Sequence, residues 1–217
     1  MESRPAALFD VDRTLLRTDS ATLYLRQQRA RGEAGMRDVL RLAFWLLEYT
    51  FGVVDAPAVA RRVLARYAGR SEAELAASFE EWFPRYALPE LSSRGREVVD
   101  RHLARGDLVA LLSGAPRYAL QPLARELGIE HVIATEVETD RGRLTGRVLG
   151  LCYGSAKVEF AARLLGAHGS SFEATTFYSD SITDRPMFER VACPVAVNPD
   201  FRLRRLARQR GWPVEHW

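Results

Sequence analysis

The sequence predicts an α/β fold: a Rossmann-like parallel sheet core with an all-helical cap inserted after the first strand. Three observations carry this. From residue 88 onward, short apolar runs alternate with helical segments, the pattern of a parallel sheet covered by helices on both faces. Residues 20–84, between the first apolar run and the rest, show helical periodicity and no convincing strand. The length, 217 residues, exceeds one average domain of roughly 150 residues and falls short of two. The core is therefore expected over 1–18 and 86–217, with the cap over 19–85.

Taken in order, residues 6–11 form an apolar run that meets acids at its C-terminal end, and read as a buried strand. Four helices follow, over 20–31, 35–51, 56–67 and 71–83. Ser71-Glu72-Ala73-Glu74 has capping-box spacing, and Asp55 precedes Pro57 at a first turn. The stretch 39–54, with Phe44, Trp45, Leu46, Leu47, Tyr49 and Phe51, is unusually apolar. It holds Arg41 and Glu48 and is too short to span a bilayer comfortably. Bundle core is the plain expectation for it, and a greasy substrate channel or lipid-facing surface the alternative. The alternating half then gives a helix over 91–105, a strand over 108–112, a helix over 116–127 and a short strand over 131–134. A hairpin over 136–148 turns at Asp140-Arg141-Gly142. A helix over 156–165, a strand over 175–178, a short helix over 186–191, a strand over 194–197 and a helix over 201–210 complete the chain.

Composition excludes other classes. Hydrophobic residues at 47% and charged residues at 27% describe an ordinary globular chain, not long disorder, collagen, coiled coil or a disulfide scaffold. Two cysteines, Cys152 and Cys193, fall in no pairing motif, and no signal peptide is visible. A reduced, cytoplasmic protein is expected. The net charge of +3 is a weak pointer to anionic partners. The last helix holds Arg202, Arg204, Arg205, Arg208 and Arg210, a solvated basic face with no nucleic-acid motif beside it. No nucleic-acid partner is expected, membrane contact only through the apolar cap stretch, and the oligomeric state is left open.

One compositional fact is sharper. The 31 basic residues include a single lysine, Lys157. In a chain that otherwise uses arginine, the one compact ammonium marks a position where a planar fork would not serve. Ligands of open α/β sheets bind beyond the C-terminal ends of strands. The residues there are Asp10, Asp12 and Thr14 after the first strand, Ser113 and Gly114 after the second, and Asp180 and Asp184 after a later one; Lys157 starts a helix. Carboxylates gathered in this way repel one another unless a cation neutralises them. A hard divalent ion, Mg2+ foremost, fits oxygen ligands. Beside a hydroxyl, an amide and a lysine it makes a site for a phosphoryl group. Asp10 is then the candidate nucleophile and Asp12 the candidate general acid and base. Plainer roles exist for each: Asp12, Thr14 or Asp184 as helix caps, 113–116 as a strand-to-helix turn, and Lys157 as solvated surface.

The ordered set resembles a known family. Phe9-Asp10-Val11-Asp12-Arg13-Thr14-Leu15 looks like the first motif of the haloacid dehalogenase-like superfamily, and Ser113, Lys157 and the segment Tyr178-Ser179-Asp180-Ser181-Ile182-Thr183-Asp184 match its later motifs in order. The helical insertion is similar to the cap of the phosphoserine-phosphatase-like branch. The resemblance implies a phosphatase in which Asp10 attacks phosphorus and Asp12 serves as acid and base. Mg2+ would be held by Asp10, the backbone carbonyl of Asp12 and Asp180, with Asp184 acting through a metal-bound water or by orienting Lys157. Ser113, the amide of Gly114 and Thr14 would bind phosphate, and Lys157 would neutralise charge. Asp19 stands at the offset where that branch places an acid for a substrate amino group, and Arg62 is the nearest candidate for its carboxylate-binding arginine. Ser179 stands where glycine is usual, and Arg13 where small or polar residues are common. The substrate implied is a small phosphomonoester, of the phosphoserine kind or, alternatively, histidinol phosphate or a lipid-like ester such as lysophosphatidate. The rivals are a receiver-type signalling domain, a phosphomutase, and a catalytically silent binding protein using the basic tail.

Overall fold

A computed structural model describes residues 3–32, 35 and 56–217. The apolar stretch 39–54 and the helix expected over 35–51 lie outside the described residues, apart from Gly35.

The first strand, β1 (Arg4–Phe9), is buried over its last four residues. Successive side chains point to opposite faces, so Leu8 enters one apolar layer and Phe9 the other. This two-sided burial is why the strand reads as a continuous apolar run. It stops at Phe9 and not at Val11 as expected, because the backbone reverses at Arg13 (φ 56°, ψ 3°) and the Leu16 amide closes back onto the Val11 carbonyl.

The sheet has seven strands in the order β4-β3-β2-β1-β5-β6-β7. They are β2 (Leu108–Pro116), β3 (His131–Asp140), β4 (Arg143–Gly150), β5 (Ser170–Ser179), β6 (Cys193–Val197) and β7 (Val214–Glu215). All pairings are parallel except β3 with β4. The strand expected over 131–134 and the first arm of the hairpin are one ten-residue strand, its first part paired with β2 and its second with β4. Arg141 (φ 47°) and Gly142 (φ 73°) make the tight turn, both in the left-handed region that two-residue hairpins demand. The two-residue strand β7 has no counterpart in the sequence reading.

The core helices are α4 (Ser93–Ala104), α5 (Arg117–Glu126), α6 (Ala156–Ala167), α7 (Arg185–Phe188) and α8 (Phe201–Arg210). Val98, Val99, Leu120 and Leu123 pack with Phe9 on one face of the sheet; Ala161, Leu165, Met187 and Leu203 pack with Leu8 on the other. Each fully buried Leu or Phe contributes about 1.5–3 kcal/mol. The basic residues of α8 are exposed as expected, while Leu203 and Ala207 face the core.

Between β1 and α4 lie three described α-helices, α1 (Ser20–Ala30), α2 (Ala56–Ala65) and α3 (Glu72–Trp82), besides shorter helical turns. Ser71 caps α3 by accepting from the Glu74 amide, the first half of the expected box. The chain leaves the core and returns side by side: Leu16 bridges Leu91, and the Ser92 amide donates to Leu15. The hairpin reaches across to the inserted helices. Gly69 and Leu144, Leu144 and Arg70, and Glu72 and Gly142 are joined by backbone hydrogen bonds. Among the described residues, no helix is long and apolar enough to cross a membrane.

Candidate active site

The register of the sheet assembles the site. Phe9 pairs with Leu111 on one side and Tyr178 on the other, so Asp10, Ser113 and Asp180 emerge at nearly one level. β1 is also where the connections switch direction, to β2 on one side and β5 on the other, which opens a crevice at the strand ends. The Asp10 amide donates to the Tyr178 carbonyl and fixes the exit of β1.

Lys157 reaches this crevice from the first turn of α6. Its ammonium donates to Asp10 Oδ1 and Asp184 Oδ2, each at 2.8 Å. All three groups are buried. A cation near a helix N-terminus opposes the helix dipole, so the two carboxylates are what hold it there. Burial pulls the ammonium toward neutrality, but Asp10 and Asp184 more than offset this and hold its pKa well above the ordinary lysine value. Asp184 lacks the helix-capping bond that the sequence allowed; its Oδ2 also accepts from Ser179 Oγ at 2.7 Å, and its Oδ1 is buried without a hydrogen-bond partner.

Burial lifts the Asp10 carboxyl to about 7, with Lys157 pulling it back down and Asp184 adding to the rise. Burial likewise raises Asp180 well above the ordinary value, and Asp10 and Asp184 push it in the same direction. The Asp12 carboxylate takes a different path. It turns to the start of α1, where Oδ1 accepts from the Ser20 amide at 2.8 Å and Oδ2 from Ser20 Oγ at 3.1 Å. Burial raises it to about 6, against the lowering effect of the Ser20 bonds. The expected acid is thus also the side chain that bonds the first residue of α1.

The residues expected to meet phosphate are held by local bonding. Ser113 is buried, and its Oγ accepts from the Ala115 amide. Thr135 Oγ1 donates to the Gly114 carbonyl at 2.6 Å and accepts from the Cys152 amide, which fixes the loop beside Ser113. A side chain at Gly114 would come within 3.4 Å of the Cys152 carbonyl. Thr14 is buried, with an Oγ1 that has no hydrogen-bond partner. Cys152 is buried and its thiol is pushed up to about 12 by burial, so it stays protonated; Cys193 is exposed, and both are free.

Asp19 is bound within the chain: Arg13 Nε and Nη2 both donate to its Oδ2, at 3.1 and 2.9 Å. Arg62 is exposed on α2 and forms no ion pair or hydrogen bond with this cluster among the described residues. Ser20, Ser179 and Thr135 also bond to this cluster. Ser179 was visible as a departure from glycine in its turn, but the other two carry no local signal.

The donor set fits a hard divalent cation. Asp10 and Asp180 are buried carboxylates, and burial with repulsion from neighbouring carboxylates opposes the ionisation of both. Among the described residues, no three His, Cys, Asp or Glu side chains are gathered into a ready-made metal cluster. Two carboxylates and a backbone carbonyl, with water completing the shell, suit Mg2+, which keeps several of its waters.

The sequence matches the family described as haloacid dehalogenase-like hydrolase over residues 7–189. A Mycobacterium tuberculosis protein named phosphoserine phosphatase SerB1 is 37% identical over 216 residues, covering 96% of this chain and 70% of that one. A Neisseria meningitidis protein named histidinol-phosphatase is 33% identical over 215 residues, covering 96% of each. Among solved structures, a Bordetella pertussis protein of unknown function superposes with a TM-score of 0.88 at 36% identity, covering 99% of both chains.

Proposed function

The chain belongs to the haloacid dehalogenase-like hydrolases and is a phosphatase by kinship; from that premise we propose that it hydrolyses a small phosphomonoester through an aspartyl-phosphate on Asp10, with Mg2+ as cofactor. The observation that carries this is the buried triad of Asp10, Lys157 and Asp184, with Ser113 and Asp180 at the same level of the sheet.

Asp10 uses Oδ1 on Lys157, which leaves Oδ2 to attack phosphorus. Lys157 stays charged throughout, and its ammonium balances the nucleophile and the transferring phosphoryl oxygens. Ser113 and the Gly114 amide receive two phosphoryl oxygens, and Thr14 Oγ1 supplies a further donor. Asp12, with its pKa raised to about 6, carries a proton in part of the population near neutrality and gives it to the leaving oxygen. It then takes a proton from the water that cleaves the acyl phosphate. Asp10, the Asp12 carbonyl and Asp180 would hold Mg2+, which would supply Lewis-acid charge neutralisation on the phosphoryl group. Asp184 orients Lys157 and is itself oriented by Ser179.

The relatives' names make O-phosphoserine and histidinol phosphate the first esters to assay. Asp10→Asn keeps the side chain's size and removes the nucleophile. It is expected to abolish turnover of a generic aryl phosphate in Mg2+ while the thermal transition persists. Near-full activity in that variant would refute the assignment.

A further inference from the structure

We propose that Arg13 is a specificity-determining residue: its guanidinium, anchored by Asp19, receives a carboxylate or second phosphate on the leaving group, and the pair disfavours a leaving group that offers an ammonium to Asp19. This deepens the phosphatase reading above and rests on it.

Geometry places the pair on the leaving-group side. The leaving oxygen must lie beside Asp12, the proton donor. Asp12 is bonded to Ser20, and Ser20 adjoins Asp19, which holds Arg13. The guanidinium is thus linked to the acid through two hydrogen-bonded contacts and one peptide link, and Asp180 and Asp12 both interact with its charge. The backbone holds it there. Arg13 has φ 56°, a left-handed conformation that glycine would adopt without strain, and its carbonyl accepts from Asn198 Nδ2 at 3.2 Å. A bulky residue kept in that region next to reacting groups points to use of its side chain.

The bonding pattern gives the ligand class. Arginine has five N–H donors in a planar fork. Two go to Asp19 Oδ2, and no bond is shown for the other three among the described residues. Arg13 is half-exposed while Asp19 is mostly covered, so the guanidinium is the more accessible member. A planar donor edge of this kind matches a carboxylate or phosphate. An ammonium would meet Asp19 only after displacing a fork tethered six residues away.

Three esters test this: 3-phosphoglycerate, O-phosphoserine, which carries an ammonium in place of the hydroxyl, and glycerol 3-phosphate, which lacks the carboxylate. The wild-type protein is expected to favour 3-phosphoglycerate over O-phosphoserine in kcat/KM by about tenfold or more. Arg13→Gln should lower the ratio of 3-phosphoglycerate to glycerol 3-phosphate about tenfold, chiefly through KM, and Arg13→Lys should recover part of it. Arg13→Gly, which relieves the backbone, controls for folding and should lower the ratio likewise. Equal losses on all three esters, or a wild-type preference for O-phosphoserine, overturn the proposal. Calorimetric binding of 3-phosphoglycerate to Asp10→Asn, with and without Arg13→Gln, makes the same comparison without turnover. If neither these esters nor a generic aryl phosphate is hydrolysed the phosphatase reading fails, and the binding comparison still decides the role of Arg13.

Discussion

Lys157 joins two carboxylates that would otherwise be buried side by side. Removing one partner of such a buried cluster leaves uncompensated charge, at a cost of about 3–5 kcal/mol. Lys157→Met is therefore expected to lose stability of that order in urea unfolding near pH 7.5, and less near pH 5, where Asp10 takes a proton and needs no counter-ion. Lys157→Arg should not restore activity, because a planar fork does not replace a point charge between Asp10 and Asp184. Loss of equal size at both pH values would contradict this account. At this scale the sequence was most readable where a residue type was rare or a spacing was dense, as with the single lysine and the acids after β1. Ser20 was opaque, because eight residues separate it from Asp12 and only the return of α1 brings them together. Asp19 was readable as an acid near the site, but its engagement with Arg13 was not, since that depends on a left-handed backbone at a non-glycine residue.

The element scale shows where periodicity reads well and where it does not. The helix over 201–210 and the hairpin turn follow directly from pattern and turn chemistry. Strand ends do not, because pairing decides them: β3 runs to Asp140 since β4 continues its ladder, and β2 to Pro116 since it bridges Thr135. The hairpin also touches the inserted helices closely. Gly146 has φ 83°, and a Cβ there would lie 3.0 Å from Ala68 Cβ and 3.2 Å from the Ala65 carbonyl oxygen. Gly146→Ala is expected to destabilise by about 1–2 kcal/mol, through backbone strain and this contact together. A thermal melt checks it, and an unchanged transition would mean that the α2–hairpin contact is loose.

For the whole molecule, the raised carboxyls set a pH dependence. Asp10 and Asp12 titrate at about 7 and about 6 in the folded protein, against 3.8 for the ordinary aspartate. Between those values the folded state binds more protons than the unfolded one, so stability is greatest at the acid end and falls as pH rises toward 7. A divalent cation binds the ionised form and opposes the fall. Millimolar Mg2+ is thus expected to raise the melting temperature more near pH 7.5 than near pH 5; equal shifts would argue against carboxylate ligation. The whole fold was legible as one strand, an insertion and an alternating remainder. The two-residue β7 was not, because nothing in so short a segment distinguishes a strand from a tail.

The bonds between residues 69–72 and the hairpin have a consequence for solution behaviour. β4 is an outer strand, and outer strands offer unpaired amides and carbonyls to any neighbour, which is how sheets polymerise. Here the chain spends its own backbone on the part of that rim nearest the turn. The opposite rim is only two residues long. Shielding at both borders works against strand-to-strand aggregation, and the exposed Arg147 on β4 and Pro213 just before β7 reinforce it.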